Sequence, residues 1–306
     1  MKSIAILIDY FGAWPKWFPV FLASCGYNDT VNWIIRTDCD IPANTPPNVK
    51  FIRMSYQDYI KNVSEKLNIN FNPISKYKIC DLKPVYGDLY QDDIAGYDYY
   101  GFGDLDIIFG DIRKFYTDEV LSFDVISTHE HILSGHFALF KNEERLRKAY
   151  TKIPRYAEYL ENPYTTRFDE DVYSCLFVQP GHAESAGIAP NLAQDLQDVG
   201  PLPGLKVYFK EQYTTVFHPM AWHDGLEDHP EVWHWKDGMV TNERNIGRDY
   251  LYLHLMNFQS MRWTNSRCRE INTAWKDNPD VRFTLPGEEA HGITIDWTGI
   301  QAVGAR

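Results

Sequence analysis

The segment YYGFGDLDIIFGDI, at residues 99–112, constrains the possible folds of this chain most strongly. Its aromatic and aliphatic residues are typical of a buried strand. The run nevertheless contains two aspartates two positions apart, Asp104 and Asp106, with glycines on both sides. Because a carboxylate is costly to bury without a partner, the segment predicts either an exposed strand end or two carboxylates that hold a cation.

Short apolar segments alternate with helical patterns through the first ~130 residues. Strands are predicted at residues 3–8, 31–36, 49–52 and 99–103, and a helix is predicted to follow an N-cap at Ser55. This alternation is typical of an α/β fold whose mostly parallel sheet is flanked by helices. Beyond residue 200 the chain is rich in aromatic residues and strand patterns, so a β-rich C-terminal part is expected.

The composition excludes several classes of protein. A formal net charge of −12 disfavours a nucleic-acid-binding function, which needs a basic face. The five cysteines are scattered and lack C-x-x-C spacing, which argues against a disulfide framework and a zinc site. The apolar run at residues 4–8 is too short for a signal peptide, and no run approaches ~20 apolar residues. We expect a cytoplasmic protein, with peripheral association at the inner face of the membrane as an open alternative.

The two aspartates can act together if they end a strand. Residues two apart in a strand face the same way, so Asp104 and Asp106 converge while Leu105 points into the opposite, packed layer. Two carboxylates suit Mg²⁺ or Mn²⁺, and ligands of parallel sheets gather at the carboxyl ends of strands. The alternative is ordinary turn chemistry at a solvated strand end.

Seven short stretches follow an order that resembles the GT-A nucleotide-sugar glycosyltransferases, specifically the bacterial enzymes that build surface polysaccharides. They span roughly residues 3–260 and read SIAILIDYFGAWPKWF, RTD, KICDLKPVYGDL, YYGFGDLDIIFGD, SGHFALF, FDEDVY and YLHL. The resemblance implies a GT-A-like, Rossmann-like nucleotide-binding sheet. It also implies metal-dependent transfer of a sugar from a nucleotide-diphosphate donor, expected to be a UDP-sugar, to a glycan or lipid-linked glycan acceptor in polysaccharide synthesis.

The resemblance places the donor beside the ends of the first two strands. The base and ribose would lie against Asp9, Tyr10 and Phe11, with Asp38 after the second strand. Lys83, in the stretch CDLKP, is a candidate for contact with the diphosphate, because an acidic protein must gather cations where an anionic donor binds.

The same resemblance implies a metal site and a glycine loop. Asp104 and Asp106 would bind Mn²⁺ or Mg²⁺, and His254 would complete the metal shell, although in the alternation YLHL it could equally be a core histidine. Gly135 belongs to the loop that would abut both donor and acceptor.

The acidic stretch FDEDVY has two interpretations. Acidic residues in a first helical turn interact favourably with the helix dipole and often do nothing more. By the resemblance, Glu170 and Asp171 position the acceptor, and Asp171 is the catalytic base if the reaction inverts the anomeric centre.

We expect one catalytic domain at residues 1–263, with a nucleotide-binding half at 1–130 and an acceptor-binding half at 131–263. Residues 264–306 would form a C-terminal extension. Two rival functions stay open. One is a metal-dependent phosphohydrolase that uses the aspartates and the late histidines. The other is a non-catalytic carbohydrate-binding protein whose aromatic residues stack on glycans.

Overall fold

A seven-stranded mixed sheet forms the centre of the fold. The structure is a computed structural model, and it describes residues 1–178, 196, 199–217, 220–260, 275–276, 278–284 and 290–304. Its strands are β1 Ile4–Asp9, β2 Val31–Thr37, β3 Val49–Arg53, β4 Tyr99–Gly103, β5 Ile107–Phe109, β6 Val125–Ser127, β7 Phe137–Lys141, β8 Val207–Phe209, β9 Trp233–Lys236, β10 Met239–Asn242, β11 Tyr252–His254, β12 Arg282–Phe283, β13 Ala290–Asp296 and β14 Gly299–Gly304.

Short helices surround the sheet in the described part of the chain. The α-helices are α1 Phe18–Tyr27, α2 Tyr56–Leu67, α3 Tyr86–Leu89, α4 Ile112–Phe115, α5 Glu144–Arg147, α6 Tyr156–Glu161 and α7 Met256–Ser260. Four further helical segments of the described chain are not α-helical. They are the 3₁₀ segments Lys76–Val85, Val120–Ser122 and Ala149–Lys152, and the π-helical turn Phe168–Val172. Ser55 caps α2 by accepting a hydrogen bond from the Asp58 N–H, as predicted.

The central sheet has the strand order β3-β2-β1-β4-β7-β6-β8. The first four of these strands are parallel, and β7 runs antiparallel to both β4 and β6. Every residue of β1 is buried, as expected for a strand with packed layers on both faces. The predicted α/β class with a mostly parallel sheet is therefore confirmed.

Alternate residues of β1 face two separate hydrophobic cores. Ala5 and Leu7 pack in the core that contains Tyr59 and Val63 of α2. Ile4, Ile6 and Ile8 pack in the second core, which contains residues of α1. Both cores are closed by helices, so the carboxyl edge of the sheet is left for a binding site.

The chain leaves the central sheet at the two aspartates. Strand β4 ends at Gly103, residues 104–106 form a bend, and β5 continues in a different direction to pair antiparallel with β11. The register places His254 opposite Ile107. This pairing brings a C-terminal histidine beside residues that follow the N-terminal strands.

A second sheet lies in the C-terminal part, with the strand order β10-β9-β13-β14-β12. The β9-β10 hairpin turns at Asp237 and Gly238, which both have positive φ, and the predicted β-rich part is confirmed. Strands β12 to β14 come from the expected extension 264–306, and β13 pairs with β9. Residues 264–274 of that extension lie outside the described residues. In the described chain, no helix has the length and apolar character needed to span a membrane.

Replacement of Gly101 by alanine should test how tightly the central sheet packs. A Cβ at Gly101 would overlap the carbonyl oxygen of Ala138 on the neighbouring strand β7. We expect Gly101→Ala to lower the free energy of unfolding by about 1–3 kcal/mol in urea titrations. Gly200→Ala is the matched control, since a Cβ there meets nothing within 4 Å, and it should change stability by less than about 0.5 kcal/mol.

Candidate active site

Two cavities meet at the bend after β4. The first, of about 450 Å³, is lined by aromatic residues that include Tyr10, Phe11 and Tyr86, and we call it the aromatic cavity. The second, of about 460 Å³, is lined by polar residues that include Asp169, Glu170 and His254, and we call it the polar cavity. Six residues line both cavities: Tyr77, Cys80, Lys83, Asp104, Asp106 and Gln259.

Asp9 lies in a buried network at the wall of the aromatic cavity. The hydroxyls of Tyr59 and Tyr90 donate hydrogen bonds of 2.9 and 2.6 Å to Asp9 Oδ2, and Arg36 lies 3.7 Å from Oδ1. Burial raises the pKa of Asp9, while Arg36 and the tyrosine hydroxyls oppose that shift. Within the described chain, Asp9 Oδ1 has no hydrogen-bond partner; the side chain is fully buried, so this oxygen faces Arg36 and is shielded from a ligand.

The other residues expected at the donor differ in position. Tyr10 and Phe11 line the aromatic cavity, as does Asp9. Asp38 lies outside the linings of both cavities: it accepts a 2.6 Å hydrogen bond from the Gly12 N–H and lies 3.8 Å from Lys76 Nζ. In this structure Asp38 therefore supports the loop after β1.

Lys83 is a buried cation at the junction of the cavities, only 5 % exposed. Its Nζ donates hydrogen bonds of 2.6 Å to Asp104 Oδ1 and 2.7 Å to the carbonyl oxygen of Gly135, and it lies 3.9 Å from Asp169 Oδ2. Burial disfavours the charged form, but Asp104 and Asp169 outweigh it and raise the pKa of Lys83 well above its usual value. The residue predicted to contact a diphosphate is thus bonded to the first aspartate of D-x-D.

Asp106 faces the side chains that follow β11. Its Oδ1 lies 3.5 Å from His254 Nε2, and its Oδ2 accepts a 2.9 Å hydrogen bond from Gln259 Nε2. The hydroxyl of Thr215 lies 3.1 Å from His254 Nδ1, and the His136 ring stacks on the imidazole at 4.0 Å, which together fix its orientation. Burial acts to raise the pKa of Asp106, but the interactions with His254 and Gln259 act in the opposite direction, and the pKa is lowered.

The donor set at the junction suits a divalent cation. Two carboxylates and one imidazole are ligands that Mn²⁺ and Mg²⁺ accept, and Asp104, Asp106 and His254 all line the polar cavity. In the described residues, however, no three His, Cys, Asp or Glu side chains are grouped closely enough to form a metal site. Asp106 and His254 are adjacent, whereas Asp104 is bonded to Lys83. The three side chains are therefore chemically suitable as metal ligands. In this structure, however, Asp104 is paired with Lys83, a cation that would compete with the metal.

A second buried ion pair anchors the acidic turn. Lys78 Nζ donates a 2.7 Å hydrogen bond to Asp81, and both side chains are almost fully buried. Asp81 also accepts hydrogen bonds from the N–H groups of Thr166 and Phe168, at 2.7 and 3.1 Å. The π-helical turn that carries residues 169–171 is therefore held against the 3₁₀ segment Lys76–Val85.

The acidic turn presents two of its three carboxylates to the polar cavity. Asp169 and Glu170 line it, while Asp171 lies outside both linings and forms bidentate hydrogen bonds with Arg167. Burial raises the pKa of Asp169 well above its usual value, Glu170 adds to that shift, and Lys83 opposes it. The predicted base, Asp171, stays a prediction, and its carboxylate is committed to Arg167 here.

Gly135 lies against this acidic turn. A Cβ at Gly135 would be 2.7 Å from Glu170 Cγ and 2.9 Å from Asp169 Oδ2. Because Gly135 has no side chain, the loop before β7 can approach both carboxylates. The carbonyl oxygen of Gly135 also accepts a hydrogen bond from Lys83 Nζ. The structure brings Gly135, Lys83 and the acidic turn into one cluster.

Sequence reasoning missed several residues of the site. Asp169 directly precedes Glu170 in FDEDVY, so the same acidic run could have pointed to it. Gln259 follows His254 by five positions, and nothing in its sequence context marks it as a partner of Asp106. The structural role of Asp81 was equally hidden, because its partners at residues 166 and 168 are distant in sequence.

The chain belongs to DUF6625, a family of unknown function whose model matches residues 6–278. A search of curated proteins finds no match. Similar solved structures include the galactosyltransferase LgtC with donor and acceptor sugar analogues, at 10% identity and a TM-score of 0.34, covering 67% of this chain and 86% of that one. An active-site mutant of LgtC gives the same values. Apo mouse xyloside xylosyltransferase 1 is also similar, at 10% identity and a TM-score of 0.31, covering 53% and 72%. These structural neighbours are glycosyltransferases.

Asp169→Asn should stabilise the protein at neutral pH. Because burial raises the pKa of Asp169 in the folded state, its ionisation costs stability that grows as the pH rises above the unfolded pKa of about 3.9. We expect a gain of order 1 kcal/mol at pH 7 in urea unfolding, shrinking toward zero near pH 4. Asp171→Asn is the control and should show no gain, since it removes the ion pair with Arg167. A destabilised Asp169→Asn variant at pH 7 would contradict this account.

Proposed function

We propose that this protein is a metal-dependent glycosyltransferase that moves a sugar from a nucleotide-diphosphate donor to an acceptor hydroxyl. The observation that carries this proposal is the meeting of two cavities at Asp104, Asp106 and Lys83. One cavity has the aromatic walls that suit a nucleobase, the other has carboxylates that suit sugar hydroxyls, and the junction holds the charged groups that a diphosphate requires.

The aromatic cavity is the proposed donor site. Tyr10, Phe11 and Tyr86 offer flat apolar surfaces to a base. In keeping with the sequence resemblance, a UDP-sugar is the donor we propose; Asp9, whose side chain is fully buried, would support the cavity wall through Tyr59 and Tyr90. Asp38 would act indirectly, through its hydrogen bond to the loop at Gly12.

The junction is the proposed site of the diphosphate. Asp104, Asp106 and His254 would hold Mn²⁺ or Mg²⁺ there, and when bound such a cation neutralises charge that develops on the leaving group. Gln259 holds the second oxygen of Asp106, and Thr215 lies at Nδ1 of His254, so both ligands are oriented by neighbours. Lys83 adds a positive charge beside the same position.

The polar cavity is the proposed acceptor site. Glu170 lines it beside Gly135, so we now favour Glu170 over Asp171 as the group that accepts the proton of the acceptor hydroxyl, if the reaction inverts. Asp169, whose raised pKa favours its protonated form, is suited to hydrogen bonding with a sugar hydroxyl. We propose a glycan or lipid-linked glycan as acceptor, and polysaccharide synthesis in the cytoplasm as the setting.

Titration calorimetry with UDP tests the donor site. We expect wild-type protein to bind UDP only in the presence of Mn²⁺, and Asp106→Ala to weaken that binding at least about tenfold, because one metal ligand is lost. Asp118→Ala, which changes an exposed aspartate outside both cavities, should leave the affinity unchanged. Failure of the wild type to bind UDP with Mn²⁺ would refute the proposal.

Turnover assays with a panel of nucleotide sugars test the acceptor side. We expect Glu170→Gln to lower the rate of sugar transfer by about 10²–10⁴ while UDP affinity stays unchanged. Asp171→Asn should retain more activity than Glu170→Gln, since Arg167 pairs with both carboxylates but, of the two, only Glu170 lines the polar cavity. The reverse ranking would restore Asp171 as the base.

The same assays separate the rival functions. Release of phosphate from simple esters without a sugar acceptor would indicate a phosphohydrolase. Glycan affinity that is independent of nucleotide would indicate a carbohydrate-binding protein. Trp222 and Trp233, which are only 2% and 0% exposed, are buried in the C-terminal core and offer no surface for sugar stacking.

A further inference from the structure

The position of Lys83 raises a question that sugar transfer alone does not answer. A lysine that serves a diphosphate is expected to point toward an open cavity. Here the ammonium group instead makes two short hydrogen bonds, to Asp104 Oδ1 and to the Gly135 carbonyl oxygen, while the residue lines both cavities. It is the cation that neutralises Asp104 in this structure.

A divalent metal and Lys83 would compete for the same carboxylate. Asp104 is one of the three proposed ligands, and its Oδ1 lies 2.6 Å from Lys83 Nζ. A metal bound to Asp104 would lie within a few ångströms of the buried Lys83 ammonium group, and like charges at that distance repel. The free cation should therefore bind weakly as long as Lys83 keeps this position.

A diphosphate offers Lys83 another partner. The side chain borders the aromatic cavity, in which the donor is proposed to lie, and an ammonium group has three N–H donors of which two are used here. Phosphate oxygens can draw Lys83 from Asp104 and at the same time ligate the metal. Lys76, the other lysine of the aromatic cavity, lies 3.8 Å from Asp38 and is not the cation paired with Asp104.

We propose that Lys83 is a built-in counter-cation of the D-x-D site: it keeps Asp104 neutralised until a nucleotide diphosphate draws it away, so that metal and nucleotide bind as a coupled pair. The inference rests on the metal site of the proposed function. It adds that the coupling between the two ligands resides in one side chain, and by linkage each ligand raises the affinity for the other by the same factor.

Titration calorimetry with Mn²⁺ alone, and then with Mn²⁺ at saturating UDP, tests this inference. In the wild type we expect weak binding of Mn²⁺ alone and at least about tenfold tighter binding with UDP. Lys83→Gln keeps a hydrogen-bond donor but removes the charge, so it should bind Mn²⁺ alone at least about tenfold more tightly than the wild type, with UDP adding about twofold or less. Lys83→Arg should resemble the wild type, and Lys61→Met, which changes an exposed lysine outside both cavities, should leave both values unchanged.

A second readout guards against misfolding of the variant. Lys83→Gln leaves Asp104 and Asp169 without their cation, so Mn²⁺ alone should raise its Tm by more than it raises that of the wild type. The inference is overturned if Lys83→Gln binds Mn²⁺ no more tightly than the wild type, or if UDP enhances Mn²⁺ binding equally in both proteins. If the wild type shows the UDP effect and the variant keeps it, only this inference fails. If neither protein binds Mn²⁺ under any condition, the proposed metal site fails with it.

Discussion

The burial of acidic side chains next to buried lysines is the constraint on which the site depends. Asp81 and Asp169 are buried and Asp104 is partly buried; three separate segments carry them, and two lysines of the 3₁₀ segment Lys76–Val85 lie against them. Because unpaired buried charges are strongly destabilising, these segments can pack only in the arrangement that satisfies the lysines. The stretch KICDLKP thus fixes the D-x-D bend and the acidic turn relative to each other.

Buried carboxyl groups lower the stability of this protein, but they also place ionisable groups at its cavities. A carboxyl group whose pKa is raised by burial, such as that of Asp169, lowers the free energy of unfolding at neutral pH. The same group can hold a proton at the wall of the polar cavity. At the wall of the aromatic cavity, burial likewise raises the pKa of Asp9, which lies beside Arg36 and two tyrosine hydroxyls. Carboxyl groups with shifted pKa values occur in functional sites and also in structural ion-pair networks.

Much of the fold follows from local sequence patterns. The short apolar run of β1 and the cap at Ser55 are short-range signals, and both predicted their elements correctly. The D-x-D aspartates were predicted from a local pattern and Glu170 from the family resemblance; all three line the polar cavity, and their roles stay predictions. The orientation of Asp171 was not accessible in this way, because the turn is π-helical and its residues project at angles different from those of the expected α-helix.

Contacts between distant segments could not be predicted from such patterns. The bond between Lys83 and Asp104 and the hydrogen bond from Gln259 to Asp106 depend on how whole elements pack, and no local periodicity encodes them. Asp38 shows the converse case: its place after a strand suggested ligand contact, but a backbone N–H of the neighbouring loop holds its carboxylate.

The pairing of β5 with β11 has a consequence for how the active protein comes into being. Asp106 and His254 meet only when β5 and β11 have paired, and almost half of the chain lies between these two strands. Contacts of such high sequence separation are costly to close and tend to form late in folding. Metal affinity at this junction would therefore report on completion of the native structure, and neither the N-terminal nor the C-terminal half alone contains the full set of proposed ligands.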